Sequence, residues 1–93
     1  MAGLRFEWDA EKSRKNRAKH GISFEEAVTI FADLNSITID DVDHSDSEDR
    51  FITIGSTRRQ LVVVVCHTDR LGVIRIISAR RANRDEREQY YAL

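Results

Sequence analysis

A histidine at the end of a predicted helix is the residue best suited to proton transfer. His20 follows Lys19 and precedes Gly21, after a stretch of helix-forming composition. The macrodipole stabilises positive charge at the C-terminus of a helix, which favours a protonated imidazole and suits a general acid. Lys19 adds a second positive charge beside it. The competing interpretation is a histidine with a structural role on a solvated helix.

Two arginines form the second candidate cluster. Arg80 and Arg81 stand at the end of the predicted strand Val73 to Ala79 and before a predicted helix, whose N-terminus favours an anion. Guanidinium groups bind phosphate oxygens through paired N–H donors. Strict alternation places Ile76 and Ser78 on the face of Arg80, and Ile77 and Ala79 on the face of Arg81.

Other arginines could extend this basic surface. Arg50 precedes a predicted strand, and Arg58 and Arg59 fall in a predicted hairpin connection. The alternative is that the arginines pair with the nearby carboxylates of Asp85, Glu86 and Glu88.

Metal binding and nucleophilic catalysis have weaker support. His44 lies in an acidic stretch with Asp40, Asp41, Asp43 and Asp46, but these residues lack the ordered spacing of a metal-binding loop. Cys66 and His67 are neighbours on a predicted strand and point to opposite faces, so they cannot form a nucleophile–base pair. We expect Cys66 to be a core thiol. The sequence predicts no metal and no cofactor.

Composition restricts the class of protein. The chain has 93 residues, of which 41% are hydrophobic and 33% charged, and this fits one folded domain over 1–93. Its single cysteine excludes an internal disulfide framework and favours a reducing, cytoplasmic location. No apolar run approaches the ~20 residues that cross a bilayer, so we expect no membrane association.

Charge is unevenly distributed along the chain. The net charge is −1, but residues 33–49 carry seven acids and no lysine or arginine. Residues 50–93 carry nine arginines and only four acids. A basic C-terminal half is compatible with a phosphate-bearing partner.

The elements that would position these residues follow the order β-α-α-β-β-β-β-α. Asp9, Ser23 and Asn83 are predicted helix N-caps, the last two in capping boxes with Glu26 and Glu86. The predicted strands are 4–8, 36–39, 51–54, 61–67 and 73–79, and helices are predicted over 10–20, from 24 through 31, and to about 91. The strand 61–67 is apolar on both faces and should be central. The pattern predicts an α+β protein with helices packed on an antiparallel sheet.

The first helix has no apolar stripe. Its only apolar residues are Ala10 and Ala18, whereas Lys12, Asn16 and His20 share one side. A helix that is polar all round is either a solvated strut or a face that presents polar groups to a ligand. We favour a functional face.

Two segments resemble the BrnT toxin family. The first runs from Phe6-Glu7-Trp8-Asp9 through Lys19-His20-Gly21 and Ser23-Phe24-Glu25-Glu26-Ala27, and the second is Arg75-Ile76-Ile77-Ser78-Ala79-Arg80-Arg81 with Glu86 and Tyr90. The resemblance implies a RelE-like fold: a twisted, mainly antiparallel sheet, two N-terminal helices and one C-terminal helix. It points to Lys19, His20, Arg50, Arg80 and Arg81 as the catalytic residues.

The resemblance also implies an activity and partners. It implies a ribonuclease toxin that inhibits translation by cleaving RNA, here without a metal. It implies neutralisation by a BrnA-like ribbon-helix-helix antitoxin in a heterotetramer, which contacts operator DNA only through the antitoxin. Glu7 and Glu86 are the spare candidates for a general base. The alternative function is a non-catalytic module that binds nucleic acid or a protein through its arginine-rich edge.

Overall fold

The computed structural model describes residues 4–44 and 48–92, in which a five-stranded sheet carries helical elements on both faces. The elements in chain order are β1 (Arg5–Glu7), α1 (Ala10–His20), α2 (Phe24–Ala27), a 3-10 segment (Val28–Ala32), β2 (Ile37–Asp40), a 3-10 turn (Val42–His44), β3 (Arg50–Ser56), β4 (Val62–Arg70), β5 (Val73–Arg81) and α3 (Arg84–Tyr91). The predicted α+β class and the order of elements are confirmed.

The sheet is mixed, with the strand order β1-β5-β4-β3-β2. β1 runs parallel to β5, and the other pairings are antiparallel. β4 is central, as predicted, and Val63 and Val64 are buried on its two faces. Strand ends differ from prediction because β4 continues to Arg70. The connection to β5 is therefore the two-residue turn Leu71-Gly72, in which both residues have positive φ.

The second helix is shorter than its apolar periodicity predicted. One α-helical turn, α2, is followed by the 3-10 segment. Ser23 caps α2 by accepting the Glu26 amide at 3.1 Å. The Glu26 carboxylate does not reach back to complete the predicted capping box. It accepts instead from Arg59, at 2.7 and 2.9 Å, and from Thr57.

Two apolar clusters lie on opposite faces of the sheet. The larger one joins α2 and the 3-10 segment to the sheet through Ile22, Phe24, Ala27, Ile30, Val63, Val65, Ile74, Ile76 and Ala79. The smaller one places Tyr90 of α3 against one end of the other face, with Ile54, Val62, Val64 and Ala82. The rest of that second face bears polar and charged side chains on β4 and β5 and the apolar Ile52 and Ile39 on β3 and β2, and we call it the open face.

Helix α1 is held against β5 by polar contacts. β1 pairs only with residues 73–75, so the backbone of Ala79 further along β5 has β4 on one side and no strand on the other. The Asn16 side chain occupies that position, donating to the Ala79 carbonyl at 2.8 Å and accepting from the Ala79 amide at 3.1 Å. It also donates to the Ile22 carbonyl at 3.0 Å. Asn16 is therefore a buried structural residue, and it also lines the groove described below together with Lys12 and His20, as its place on the helix predicted.

Candidate functional site

A groove between α1 and β5 brings two of the predicted site residues together. Lys19 and His20 line it from the end of α1, and Ile77 and Ser78 line it from β5. Gly21 fixes this helix end, since it has a φ of 73° and its amide donates to the Arg17 carbonyl at 2.8 Å. The groove has a volume of about 250 Å³.

A β-bulge at Ile77 sets the direction of the arginines on β5. Cys66 pairs with Ser78 and His67 pairs with Ile76, so Ile77 is an extra residue. The predicted grouping of Ile76 with Ser78 and Arg80 on one face is therefore wrong, since strict alternation fails at the bulge. Ser78 and Arg80 belong to the open face, whereas Ile76 lies in the larger core.

Arg80 is held by a carboxylate from α3. Its Nη1 and Nη2 atoms donate to the two oxygens of Glu86, each at 2.8 Å, and Nη1 also donates to the Arg81 carbonyl at 3.3 Å. The mutual hydrogen bond raises the pKa of Arg80 and lowers the pKa of Glu86. Glu86 also accepts the Asn83 amide and so completes the predicted capping box of α3.

This pairing leaves one edge of the guanidinium available. A guanidinium offers five N–H donors, and Glu86 and the Arg81 carbonyl account for three of them. The Nε donor and one Nη2 donor of Arg80 have no partner among the described residues, and together they form the side-on fork that suits a phosphate. The sequence left open whether Arg80 pairs with a carboxylate or binds an anion. Its contacts are compatible with both, because pairing with Glu86 leaves the side-on donors available.

The other predicted residues, Arg50 and Arg81, do not line the groove, and neither does Arg80. Arg50 is on the open face, where it pairs across the strands with Thr68. The cross-strand row that contains Arg50 and Thr68 lies four residues along β4 from the row that contains Val64 and Arg80. At the rise of a β-strand this is about 13 Å. Arg81 pairs with Val63, so it extends the opposite face, as alternation at the strand end predicted.

The spacing of the lysines is a signal that the sequence analysis did not use. Lys12, Lys15 and Lys19 all line the groove, and they recur at helical spacing on one side of α1. Within the described part of the chain, neither Lys15 nor Lys19 forms an ion pair. The two spare base candidates are both engaged, Glu86 with Arg80 and Glu7 with Arg75 at 3.4 Å.

The acidic stretch shows no metal-binding arrangement in its described part. Asp46 and the side chain of His44 lie outside the described residues. Elsewhere among residues 4–44 and 48–92, no group of three histidine, cysteine, aspartate or glutamate side chains is placed to hold a metal ion. Cys66, expected in the core, is only partly buried and faces Ser78 on the open face.

His67 belongs to a buried polar chain away from the groove. Its side chain is 1% exposed, with Nδ1 2.8 Å from Asp69 and Nε2 2.7 Å from the Thr53 hydroxyl, and its ring stacks on Phe51. Burial lowers its pKa, and Asp69 opposes that shift only in part. The neutral imidazole donates through Nδ1 to Asp69 and accepts the Thr53 hydroxyl proton at Nε2. Its role is structural, because a substrate cannot reach it.

These features define a small α+β protein with a basic groove between α1 and the edge of its sheet, an arrangement suited to phosphodiesters. The profile of one protein family, described as ribonuclease toxin, BrnT, of type II toxin-antitoxin system, matches residues 8–86, and the chain belongs to that family. The resemblance seen in the sequence is thereby confirmed.

Comparison with solved structures supports the same fold. The chain is similar to the crystal structure of the Brucella abortus ribonuclease toxin BrnT, with a TM-score of 0.67 and 21% identity over 88% of this chain and 100% of that chain. A comparison with curated proteins finds none that matches. No helix among the described residues is long and apolar enough to cross a membrane.

Proposed function

We propose that the chain is a single-domain, metal-independent endoribonuclease that inhibits translation. The observation that carries this proposal is the convergence of Lys19 and His20 with Ser78, two residues before Arg80 on the same strand face. Membership of a ribonuclease toxin family supplies the reaction class. Because the substrate is cellular RNA, we place the protein in the cytoplasm.

The groove supports cleavage by the neighbouring ribose hydroxyl. The 2′-oxygen forms a bond to phosphorus as the bond from phosphorus to the 5′-oxygen breaks, which leaves a 2′,3′-cyclic phosphate and a 5′-hydroxyl. His20 gives a proton to the departing 5′-oxygen, and the 2′-hydroxyl proton passes to water, since the groove is open. Protonated Lys19 and the side-on fork of Arg80 stabilise the additional negative charge on the phosphoryl oxygens.

The five predicted site residues have different places in this scheme. Lys19, His20 and Arg80 act at the cleaved phosphate. Arg50, about 13 Å along the strands, contacts the RNA away from that phosphate. Arg81 extends the opposite face, so its place is outside the reaction.

The test is cleavage of RNA by purified protein in the presence of EDTA, with mapping of the product ends. We expect cyclic phosphate and 5′-hydroxyl ends, and a loss of about 10²–10³ in rate for His20→Ala or Arg80→Ala. Arg14→Ala is the matched control, because Arg14 is a cation of α1 that pairs with Glu11 outside the groove. Suppression by EDTA would refute metal independence. Full activity of both variants would refute the site, and binding without cleavage would favour the non-catalytic module.

The proposal includes a BrnA-like ribbon-helix-helix antitoxin as partner. Membership of a type II toxin–antitoxin family implies an antitoxin. Acidic side chains of such a partner would pair with Arg50 and Arg80 on the open face and block the phosphate site. Ribbon-helix-helix domains dimerise, so we expect a heterotetramer that contacts operator DNA through the antitoxin alone.

Mixing experiments test this arrangement. Arg80→Glu should weaken toxin–antitoxin association, whereas Arg14→Glu should not, and light scattering should give two copies of each chain. Specific binding of operator DNA by the toxin alone, or equal antitoxin affinity for both variants, would contradict it.

A further inference from the structure

A second cationic site lies on the open face, at the opposite end of β5 from Arg80. A pocket of about 320 Å³ forms where β1, β4 and β5 meet. Its polar lining comprises Arg5, Glu7, Glu48, Thr68, Arg70 and Arg75. We call it the arginine pocket. Its volume is near the lower end of the range for small-molecule sites, about 300–1,000 Å³, and it suits one unpaired nucleotide.

The ion pairs inside the arginine pocket are weak enough to be displaced. Arg75 lies 3.4 Å from Glu7, and Arg70 lies 2.8 Å from Glu48, and both arginine side chains are about half exposed or more. Exposed pairs of this kind contribute about 0–1 kcal/mol each. Arg5 has no ion pair within the described residues. Three guanidinium groups facing two carboxylates leave a positive charge for an anion.

The sheet register aligns the arginine pocket with the proposed cleavage site. Arg75 pairs with Thr68 and Arg80 pairs with Val64, so the two rows are about 13 Å apart along the strands. The row between them consists of Ser78 and Cys66, which are small and uncharged. A single strand of RNA spans this distance with a few nucleotides and meets no charged side chain in the Ser78–Cys66 row.

We propose that the arginine pocket binds a nucleotide flanking the cleaved bond, on single-stranded RNA that runs along β5. This inference rests on the proposed ribonuclease function. The phosphate of that nucleotide replaces Glu7 as the partner of Arg75, and Arg5 provides a second cation. The base enters only when unpaired, and it packs against a guanidinium plane, as bases do on arginine in many RNA complexes.

Binding of uncleavable RNA tests this assignment without relying on catalysis. The probes are 2′-O-methyl RNAs: a dinucleotide, whose single phosphate cannot occupy both sites at once, and an oligonucleotide of about eight nucleotides, which can span them. Arg75→Gln and Arg5→Gln are the test variants. Arg84→Gln is the matched control, since Arg84 on α3 has a comparable exposed ion pair, at 3.3 Å from Glu88, outside the pocket.

We expect Arg75→Gln to weaken octanucleotide binding about tenfold at low salt and to reduce the slope of log K against log salt by about one. Dinucleotide binding should be unchanged, and Arg84→Gln should behave as the wild type with both probes. Arg5→Gln should show the same length dependence with a smaller loss. Unchanged melting temperatures would show that the variants remain folded.

Two results would overturn the inference. The first is that Arg75→Gln and Arg5→Gln bind the octanucleotide with the same affinity as Arg84→Gln. The second is that these variants lose affinity equally for the dinucleotide and for the octanucleotide. Failure of the proposed function gives a different pattern: the unmodified octanucleotide remains uncut by the wild type, while 2′-O-methyl RNA still binds in an Arg75-dependent manner.

Discussion

Replacing Asn16 with alanine tests whether polar contacts hold α1 to the sheet. Asn16→Ala removes the side chain that donates to the carbonyls of Ala79 and Ile22 and accepts the Ala79 amide. Each buried backbone group left unsatisfied costs about 1–3 kcal/mol. The low end of that range is appropriate, because water can enter at the sheet edge, and it gives about 3 kcal/mol for three groups. The higher helix propensity of alanine offsets at most about 0.7 kcal/mol of this destabilisation.

The expected net loss is therefore about 2–3 kcal/mol in the free energy of unfolding. A protein of this size should lose roughly 10–20 °C in melting temperature for such a change. Urea denaturation followed by Trp8 fluorescence suits the measurement, because Trp8 packs edge-on against the buried Phe24 ring, with ring centroids 6.2 Å apart. Lys15→Ala, one residue away on the exposed side of α1, is the control and should stay within about 0.5 kcal/mol of the wild type.

A second variant separates hydrogen bonding from shape. Asn16→Asp keeps an acceptor for the Ala79 amide but points an anionic oxygen at two carbonyl oxygens, so it should be at least as unstable as Asn16→Ala. Wild-type stability of Asn16→Ala would refute the reasoning. If that variant were stable but unable to cleave RNA, Asn16 would be a functional residue, as its position on the helix first suggested.

Three further predictions concern the rest of the fold. Because burial lowers the pKa of His67 in the folded protein, the unfolded chain takes up the imidazole proton at a higher pH than the folded chain does. The free energy of unfolding should therefore fall as the pH drops below about 6.5. His67→Gln should flatten this dependence between pH 7 and 5 in urea titrations. Tyr90→Phe removes a 2.5 Å hydrogen bond to Asp33, so it should cost about 1.5–2 kcal/mol and abolish a phenol ionisation near pH 12, read by ultraviolet absorbance. Leu71→Asn should raise the melting temperature by a few degrees, because Leu71 is 97% exposed with positive φ, before Gly72. An unchanged pH profile, an unaltered alkaline titration or a lower melting temperature, respectively, would contradict them.

The sequence predicted the elements whose signals are local. Asp9 caps α1, with the Lys12 amide 3.0 Å from its side chain, and the capping box of Asn83 forms as expected. The apolar run that forms most of β4 also indicated its central place. These features depend on residues within one turn or one strand, so spacing alone reveals them.

Other features depend on partners distant in sequence. Asn16 reads as a surface residue until β5 is known to leave its edge open beside it. Ile77 is as apolar as its neighbours, so nothing in the sequence marks it as the extra residue of a bulge. For the candidate site, the sequence singled out Lys19, His20 and Arg80, and alternation at the strand end placed Arg80 and Arg81 on opposite faces. The sequence could not show which of the nearby carboxylates, Asp85, Glu86 or Glu88, pairs with Arg80.

The pairing of β1 with β5 has a consequence for synthesis on the ribosome. β5 is the last strand in sequence, yet it supplies the partners of the first strand, Arg5–Glu7, and of Asn16 in α1. It also carries Arg80 and Ser78. A nascent chain that lacks β5 therefore has neither a docked α1 nor an assembled groove. The proposed nuclease site therefore forms only after β5 has been synthesised, so a nascent chain that has not yet reached β5 presents no complete active site to the ribosome that makes it.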